Sequence, residues 1–301
     1  MVAEVLEALE PRSGGTYVDG TIGGGGHTAA ILAASAPAGR VLGMDRDGAA
    51  VEAATARLQE FAGRYELRRG EFRELADWIE PRSCDGALLD LGVSSPQLDE
   101  SARGFSFQQD GPLDMRMDTR QSLTAAQLVN EASPEELTAW FSELGGERHA
   151  KRIAQVIARQ RSDSPMRTTR QLADLVERVV PRRGSRIHPA TRVFQALRLA
   201  VNDELGHLAR GLPAIWNLLK PGGRLAVITF HSLEDRMVKE FGRERARDYR
   251  VLGEVDVPEL RQPVAPEAKW VAKKAIQPGP AEIAENPRSR SAQLRVLERI
   301  G

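Results

Sequence analysis

Three acids stand where short apolar runs end: Asp19 after Thr16-Tyr17-Val18, Asp45 after Val41-Leu42-Gly43-Met44, and Asp90 after Gly86-Ala87-Leu88-Leu89. The first is followed by a glycine loop, Gly20-Thr21-Ile22-Gly23-Gly24-Gly25-Gly26-His27. Glycines let a backbone approach a ligand closely, and a helix opening behind them turns its free N–H groups outward. Asp45 lies 20 residues after Gly25, the separation at which a carboxylate ending the next strand accepts hydrogen bonds from ribose hydroxyls. Loop, spacing and acid agree on an adenosine-type ligand. Gly23 and Gly25 face it, Asp45 holds the ribose, and Asp19 either orients the loop or meets a ligand amine. Phe72 either packs on adenine or is a core aromatic.

Carboxylates gathered on one sheet edge repel a pyrophosphate and attract a cation. That favours S-adenosylmethionine, which carries an ammonium and a sulfonium, over a dinucleotide. Asp90 also opens the run Asp90-Leu91-Gly92-Val93-Ser94-Ser95-Pro96-Gln97. Methyl transfer to an exocyclic amine needs little acid–base power. The amine must be held pyramidal and in line with the methyl, while acceptors take its N–H bonds. Ser94, Ser95 and the carbonyl of Pro96 suit that task; a simple turn is the other reading of the run.

The elements that must position these residues alternate. Strands are expected at Thr16–Asp19, Arg40–Asp45, Tyr65–Arg68, Asp85–Leu91 and Gly223–Phe230, with helices at Thr28–Ala36 and Asp47–Phe61. Lys220-Pro221-Gly222-Gly223 is a helix stop. Strands alternating with helices imply a parallel sheet. Between Leu91 and Arg224 lie far more residues than one crossover needs, and there the pattern turns purely helical. Thr124 with Gln127, and Ser133 with Glu136, form capping boxes; Ile153-Val156-Ile157 and Leu172-Leu175-Val176-Val179 make apolar stripes; Arg192–Leu208 reads as one long amphipathic helix. The expected organisation is an α/β domain over 1–110 and 207–301, with an all-helical, basic domain inserted at 111–206. Lys269–Ile276 and Leu294–Arg299 supply the last strands.

The chain has 301 residues and a formal net charge of zero, with 42 basic and 42 acidic residues. That balance hides an asymmetry: residues 1–147 carry 12 basic and 25 acidic groups, and residues 148–198 carry 13 and 3. Only six of the basic residues are lysine, and arginine matches phosphate oxygens in a planar fork. The block suggests a polyanion-facing surface, or else a solvated helical face. At 41% hydrophobic and 28% charged the chain is an ordinary globular one, neither disordered nor fibrous. No apolar run approaches the roughly 18 residues that span a bilayer, so no membrane role is expected. No signal peptide is visible, and the cytoplasm is the natural compartment. One cysteine, Cys84, excludes an intramolecular disulfide and a multi-Cys zinc site, and it reads as a space-filler beside a strand. His149, His188, His207 and His231 lack metal-ligand spacing, so no metal is expected. All but His231, at a strand end, read as ordinary surface or helix-start residues.

Several runs together resemble the RsmH (MraW) family. They are Asp19-Gly20-Thr21 with Gly25-Gly26-His27, Asp90 to Asp99, Arg103-Gly104-Phe105-Ser106-Phe107, and Asp110 to Asp118. Also similar are His188 to Ala196, Asn202-Asp203-Glu204-Leu205, Phe230 to Arg236, and Asn286 to Ser291, so the match runs nearly end to end. The resemblance implies a class I (Rossmann-like) S-adenosylmethionine-dependent methyltransferase domain with an inserted helical domain. It implies transfer to the N4 amine of a cytosine in the decoding region of 16S ribosomal RNA, in the small ribosomal subunit. A homodimer is compatible with it. Carried over residue by residue, cofactor contacts fall on Gly25, Gly26, His27, Asp45, Phe72, Asp90 and Gln97; His27 read alone is as much a helix-cap neighbour. Asp114, with Arg116 and Asp118, is a candidate for ordering the substrate loop, or else a salt-bridged turn. Thr191, Arg192, Gln195 and Arg198 either contact RNA phosphates or pack the domains together. Where the family usually opens with His-x-Pro-Val-Leu, this chain starts Met1-Val2-Ala3-Glu4-Val5-Leu6, so the N-terminal cap over the site is expected to be either missing or trimmed. Where related amino-methyltransferases carry an aromatic after Ser-Pro-Pro, Gln97 stands here. Phe105, Phe107, Phe230 and His231 are then the candidates to stack the base. A DNA cytosine-N4 methyltransferase and a donor-sensing ribosome-assembly binding protein are the alternatives.

Overall fold

The computed structural model describes residues 1–182, 184, 188–253 and 255–301. Arg183 and Arg186 of the basic block lie outside them. The chain divides into two compact units, Met1–Gly92 with Gly206–Gly301, and Val93–Leu205.

The first unit holds strands β1 (Thr16–Asp19), β2 (Arg40–Asp45), β3 (Tyr65–Arg69), β4 (Cys84–Asp90), β5 (Leu219–Thr229), β6 (Tyr249–Val251), β7 (Arg261–Pro263), β8 (Ala268–Trp270) and β9 (Gln293–Arg299). Seven of them form one sheet in the order β3-β2-β1-β4-β5-β9-β8, and β6 pairs with β7. This is the Rossmann-like methyltransferase sheet expected from the sequence, with one correction to its direction. β1 to β5 are parallel, whereas β9 lies antiparallel between β5 and β8. β4 reads as a continuous apolar run because both faces of the sheet are covered: Ala87 and Leu89 join one core with Val18, Val227 and Trp216, and Leu88 joins the other with Tyr17, Ile31 and Leu294. Strand order reverses between β1 and β4, and ligands of such sheets bind outside the carboxyl ends at that reversal.

Helix positions moved where caps or side chains overrode periodicity. The first runs Gly26–Ala34, and the second, Gly48–Arg57, is capped by Asp47, whose side chain accepts from Ala49 N, and gives way to a 3-10 turn at Gln59–Phe61. The Lys220–Gly223 stop falls inside β5, where the register with β4 shifts.

The second unit is helical, with its own core of Leu128, Leu137, Phe141, Ile153, Ile157, Leu172, Val176, Val193 and Leu197. Both expected capping boxes are formed, and Ser94 with Gln97 and Thr168 with Gln171 make two more. The chain leaves the first unit at Gly92, not at residue 110. Phe105, Leu113, Met115 and Met117 are buried in the helical core, with Val93, Leu98 and Phe107 packed on it, so the run after Asp90 belongs there. The long helix expected at Arg192–Leu208 is two, Ala190–Val201 and Glu204–Leu218. Asn202 breaks it. Its buried amide donates to Met115 O at 2.8 Å, its Oδ1 accepts from Met117 N at 2.8 Å, and Asp203 follows at a φ of 42°. Among the described residues no helix is long and apolar enough to cross a membrane.

Candidate donor site

The glycine loop leaves β1 beside the strand-order reversal, and its acids serve unequal purposes. Asp19 is fully buried: its Oδ1 accepts from Thr21 N at 3.1 Å and its Oδ2 from the Thr28 hydroxyl at 2.6 Å. Both oxygens are taken by the loop and the helix behind it, so Asp19 orients the loop. Burial raises its pKa to about 6, against the bonds from Thr28 and Thr21 and the pull of His27. Asp45, partly exposed at the end of β2, accepts from Gly23 N at 2.8 Å and Asp47 N at 2.9 Å. Burial pushes its pKa up and those two N–H groups hold it back.

Asp90 ends β4, and its N–H donates to the Thr21 hydroxyl at 2.6 Å, pinning the loop to that strand. Its Oδ2 lies 3.5 Å from His27 Nε2. Burial pulls the imidazole pKa down, but Asp90 and the charge of Asp19 outweigh it and the value is raised. On this pair Asp90 Oδ1 and His27 Nδ1 are buried without a hydrogen-bond partner.

The glycines differ too. Gly23 (φ 51°) faces open space, so a ligand can approach it. Gly25 (φ 76°) caps the helix and turns toward the neighbouring one, where a Cβ would sit 3.1 Å from Ala54 Cβ; its N–H is spent on Ile22 O. Gly26 begins the helix beside Arg57. Phe72, on a 3-10 turn after β3, is partly buried against the core holding Leu75 and Leu212. Phe230, after β5, lies over Gly92, and His231 caps the helix Ser232–Arg245, its side chain accepting from Glu234 N.

The other expected residues fall in the helical unit. Ser94 caps Ser95–Asp99, and its Oγ accepts from Gln97 N while Gln97 Oε1 accepts from Ser94 N at 3.0 Å. The Pro96 carbonyl accepts from Glu100 N, and Ser95 is exposed. Asp114 clamps Arg116 through both oxygens, at 2.8 and 2.7 Å, and Asp118 clamps Arg120 likewise. Burial pushes the Asp114 pKa up, but the Arg116 fork outweighs it and the value is lowered. Arg198 forks onto buried Glu204. His188 and His207 lie at helix starts, one of the two places expected: His188 Nδ1 accepts from Ala190 N at 3.1 Å with its ring 4.7 Å from that of Phe107, and His207, in the first turn of Glu204–Leu218, has Nδ1 2.8 Å from Glu71 Oε2. Cys84 opens β4, buried, its thiol pKa raised by burial, at the strand end opposite Asp90.

Sequence reasoning passed over Thr21 and Thr28, which hold Asp19 and Asp90 in place. The signal was there: an acid followed two residues later by a free N–H is an Asx turn.

The model of the MraW methylase family matches residues 1–300. The ribosomal RNA small subunit methyltransferase H of Syntrophotalea carbinolica is 52% identical over 306 residues, covering 100% of this chain and 96% of that protein. Proteins of the same name are similar in Citrifermentans bemidjiense (50% over 302 residues, covering 99% and 96%) and Geobacter sulfurreducens (49% over 305, covering 100% and 97%).

Proposed function

The chain belongs to the MraW methylase family, and from that premise we propose that it transfers a methyl group from S-adenosylmethionine to the exocyclic N4 amine of a cytosine in the decoding region of 16S ribosomal RNA. The observation that carries the donor assignment is the unfinished pair His27–Asp90. Its Asp90 Oδ1 is a buried acceptor without a donor, and its His27 Nδ1 is a buried ring nitrogen without a hydrogen-bond partner. A ligand end bearing both an ammonium and a carboxylate satisfies both, as the amino-acid end of this donor does. A pyrophosphate satisfies neither Asp90 nor Asp45.

When bound, S-adenosylmethionine supplies an electrophilic methyl on a cationic sulfur. The protein's own residues do the rest. Asp45 accepts from the ribose, Gly23 lets the backbone come close, and Phe72 walls the adenine. Ser95 and the second lone pair of the Pro96 carbonyl accept from the target amine. Ser94 and Gln97 hold that turn through their capping box, and the Asp114–Arg116 clamp shapes the substrate loop. Phe230 and His231 face the base side. Cys84, buried at the far end of β4, takes no part, so transfer is a direct in-line displacement without a covalent enzyme intermediate. The helical unit, with its exposed arginines, holds the RNA in assembling or assembled small subunits.

The test is incubation with labelled donor and either small subunits or DNA, followed by nucleoside mass spectrometry. Label on cytosine N4 of the 16S RNA is expected. Label on DNA, or donor binding without transfer to either, would replace this reading with one of the two alternatives.

A further inference from the structure

We propose that one face of the helix Glu204–Leu218, through His207 and Gly211, sets the position of Phe72 and thereby the affinity for the methyl donor; this rests on the reading of Phe72 as a wall of the donor site. His207, Gly211 and Ile215 are spaced four apart, so they share one face of the helix. Each meets the loops that build the site. His207 Nδ1 lies 2.8 Å from Oε2 of Glu71, the residue directly before Phe72. A Cβ on Gly211 would fall inside the van der Waals envelope of Phe72 Cε2 and Cδ2, so the ring rests on the bare helix backbone. Ile215 Cδ1 lies 3.4 Å from where a Cβ on Gly20 would stand, and that same point is 2.8 Å from Phe72 Cβ. Phe72 is thus bounded on two sides by positions that lack a side chain.

Glycine inside a helix is about 1 kcal/mol less favourable than alanine. Gly211 accepts that penalty where the aromatic ring lands. His207 restrains the same loop one turn earlier, through a carboxylate that also joins the capping box at the start of the Phe72–Asp77 turn and pairs with Arg73. Both are positioning residues: they act on the donor through Phe72.

The experiment is a double-mutant cycle on the full chain, with calorimetric binding of S-adenosylmethionine and thermal unfolding without ligand. Gly211→Ala should weaken donor binding about tenfold by pushing the ring aside, while its unfolding temperature stays level or rises because alanine suits the helix. Phe72→Ala should also weaken binding, and the double variant should bind no worse than Phe72→Ala alone, because the ring that the added methyl displaces is gone. Gly211→Ala with wild-type affinity, or a loss that adds in full to that of Phe72→Ala, would overturn the proposal. If Phe72→Ala itself binds normally, what fails is the reading of Phe72 as a donor wall. Should Gly211→Ala not fold, His207 decides. His207→Ala should lower affinity several-fold with the rate at saturating donor unchanged, and His207→Gln, which can still donate to Glu71, should restore it. An unaffected His207→Ala would remove the helix from the site.

Discussion

A carboxylate cut off from water holds its proton more tightly than one in solution, which is why Asp19 titrates near pH 6 and not at 3.8. Between those values the folded chain keeps a proton that the unfolded chain has released. Its contribution therefore favours folding below the unfolded value and is lost as pH rises toward 6, a loss on the order of 3 kcal/mol. Asp19→Asn cannot titrate, so its stability relative to wild type should improve by up to that amount between pH 4 and 7. Denaturant melts at both pH values check it, and a constant gap would return Asp19 to an ordinary acid. His27 runs the same way, over a higher pH range. Its raised pKa adds stability that is present below the unfolded histidine range and disappears as pH climbs through the folded value, so His27→Ala should destabilise more at pH 6 than at pH 9. Asp45→Ala strips the acceptor from Gly23 N and Asp47 N and from the ribose, and donor affinity should fall by one to two orders of magnitude in calorimetry. Wild-type affinity would remove Asp45 from the ribose role.

At the scale of the elements, the turn between β1 and the helix Gly26–Ala34 is built from positive φ angles and a close approach. Gly25 sits at φ 76° with Ala54 on the far side of a missing Cβ. Gly25→Ala adds both left-handed strain of about 1–2 kcal/mol and a squeeze against the helix Gly48–Arg57. It should lower the denaturation midpoint, and Ala54→Gly should recover the packing part only. Full recovery would show the φ angle to be unstrained. This part of the site was legible in the sequence, since strand, glycines, helix and a second acid follow one another in order. The split of Ala190–Val201 from Glu204–Leu218 was not. Periodicity carries straight through Asn202, and only its bonds to Met115 and Met117, 87 and 85 residues away, stop the helix.

Across the molecule, the net charge of zero is a sum over unlike parts, and the excess of base is concentrated in residues 148–198, with 13 basic and 3 acidic groups. On the helix Ala150–Asp163, Lys151, Arg152 and Arg159 are exposed, with Arg148 just ahead, while Ile153, Ala154 and Ile157 face the core. Arg161, which the sequence places in the same block, turns inward and donates to Val129 O at 2.8 Å. Charge reversal at Arg152 and Arg159 should therefore weaken binding to small-subunit RNA and flatten the dependence of log affinity on log salt by roughly one to two, because about that many phosphate contacts are lost. Reversal at Arg161 should instead lower stability. Filter binding across a salt series checks the first, and an unchanged slope would make the stripe a solvated face.

The order of elements, the acids at strand ends, the glycine turn, the capping boxes and the charge asymmetry are all local or periodic properties, and sequence alone determined them. Which oxygen of which acid remains free is not local. Asp19 and Asp90 look alike along the chain, yet Thr28 and Thr21 close over the first, while the second turns Oδ2 to His27 and is left with a bare Oδ1. Likewise nothing near Gly211 in the chain says that an aromatic ring from residue 72 will lie on it. Hydrogen bonds and van der Waals contacts reach only a few ångströms. Their partners are decided by how distant segments come to lie together, and that packing is what the tertiary structure supplied.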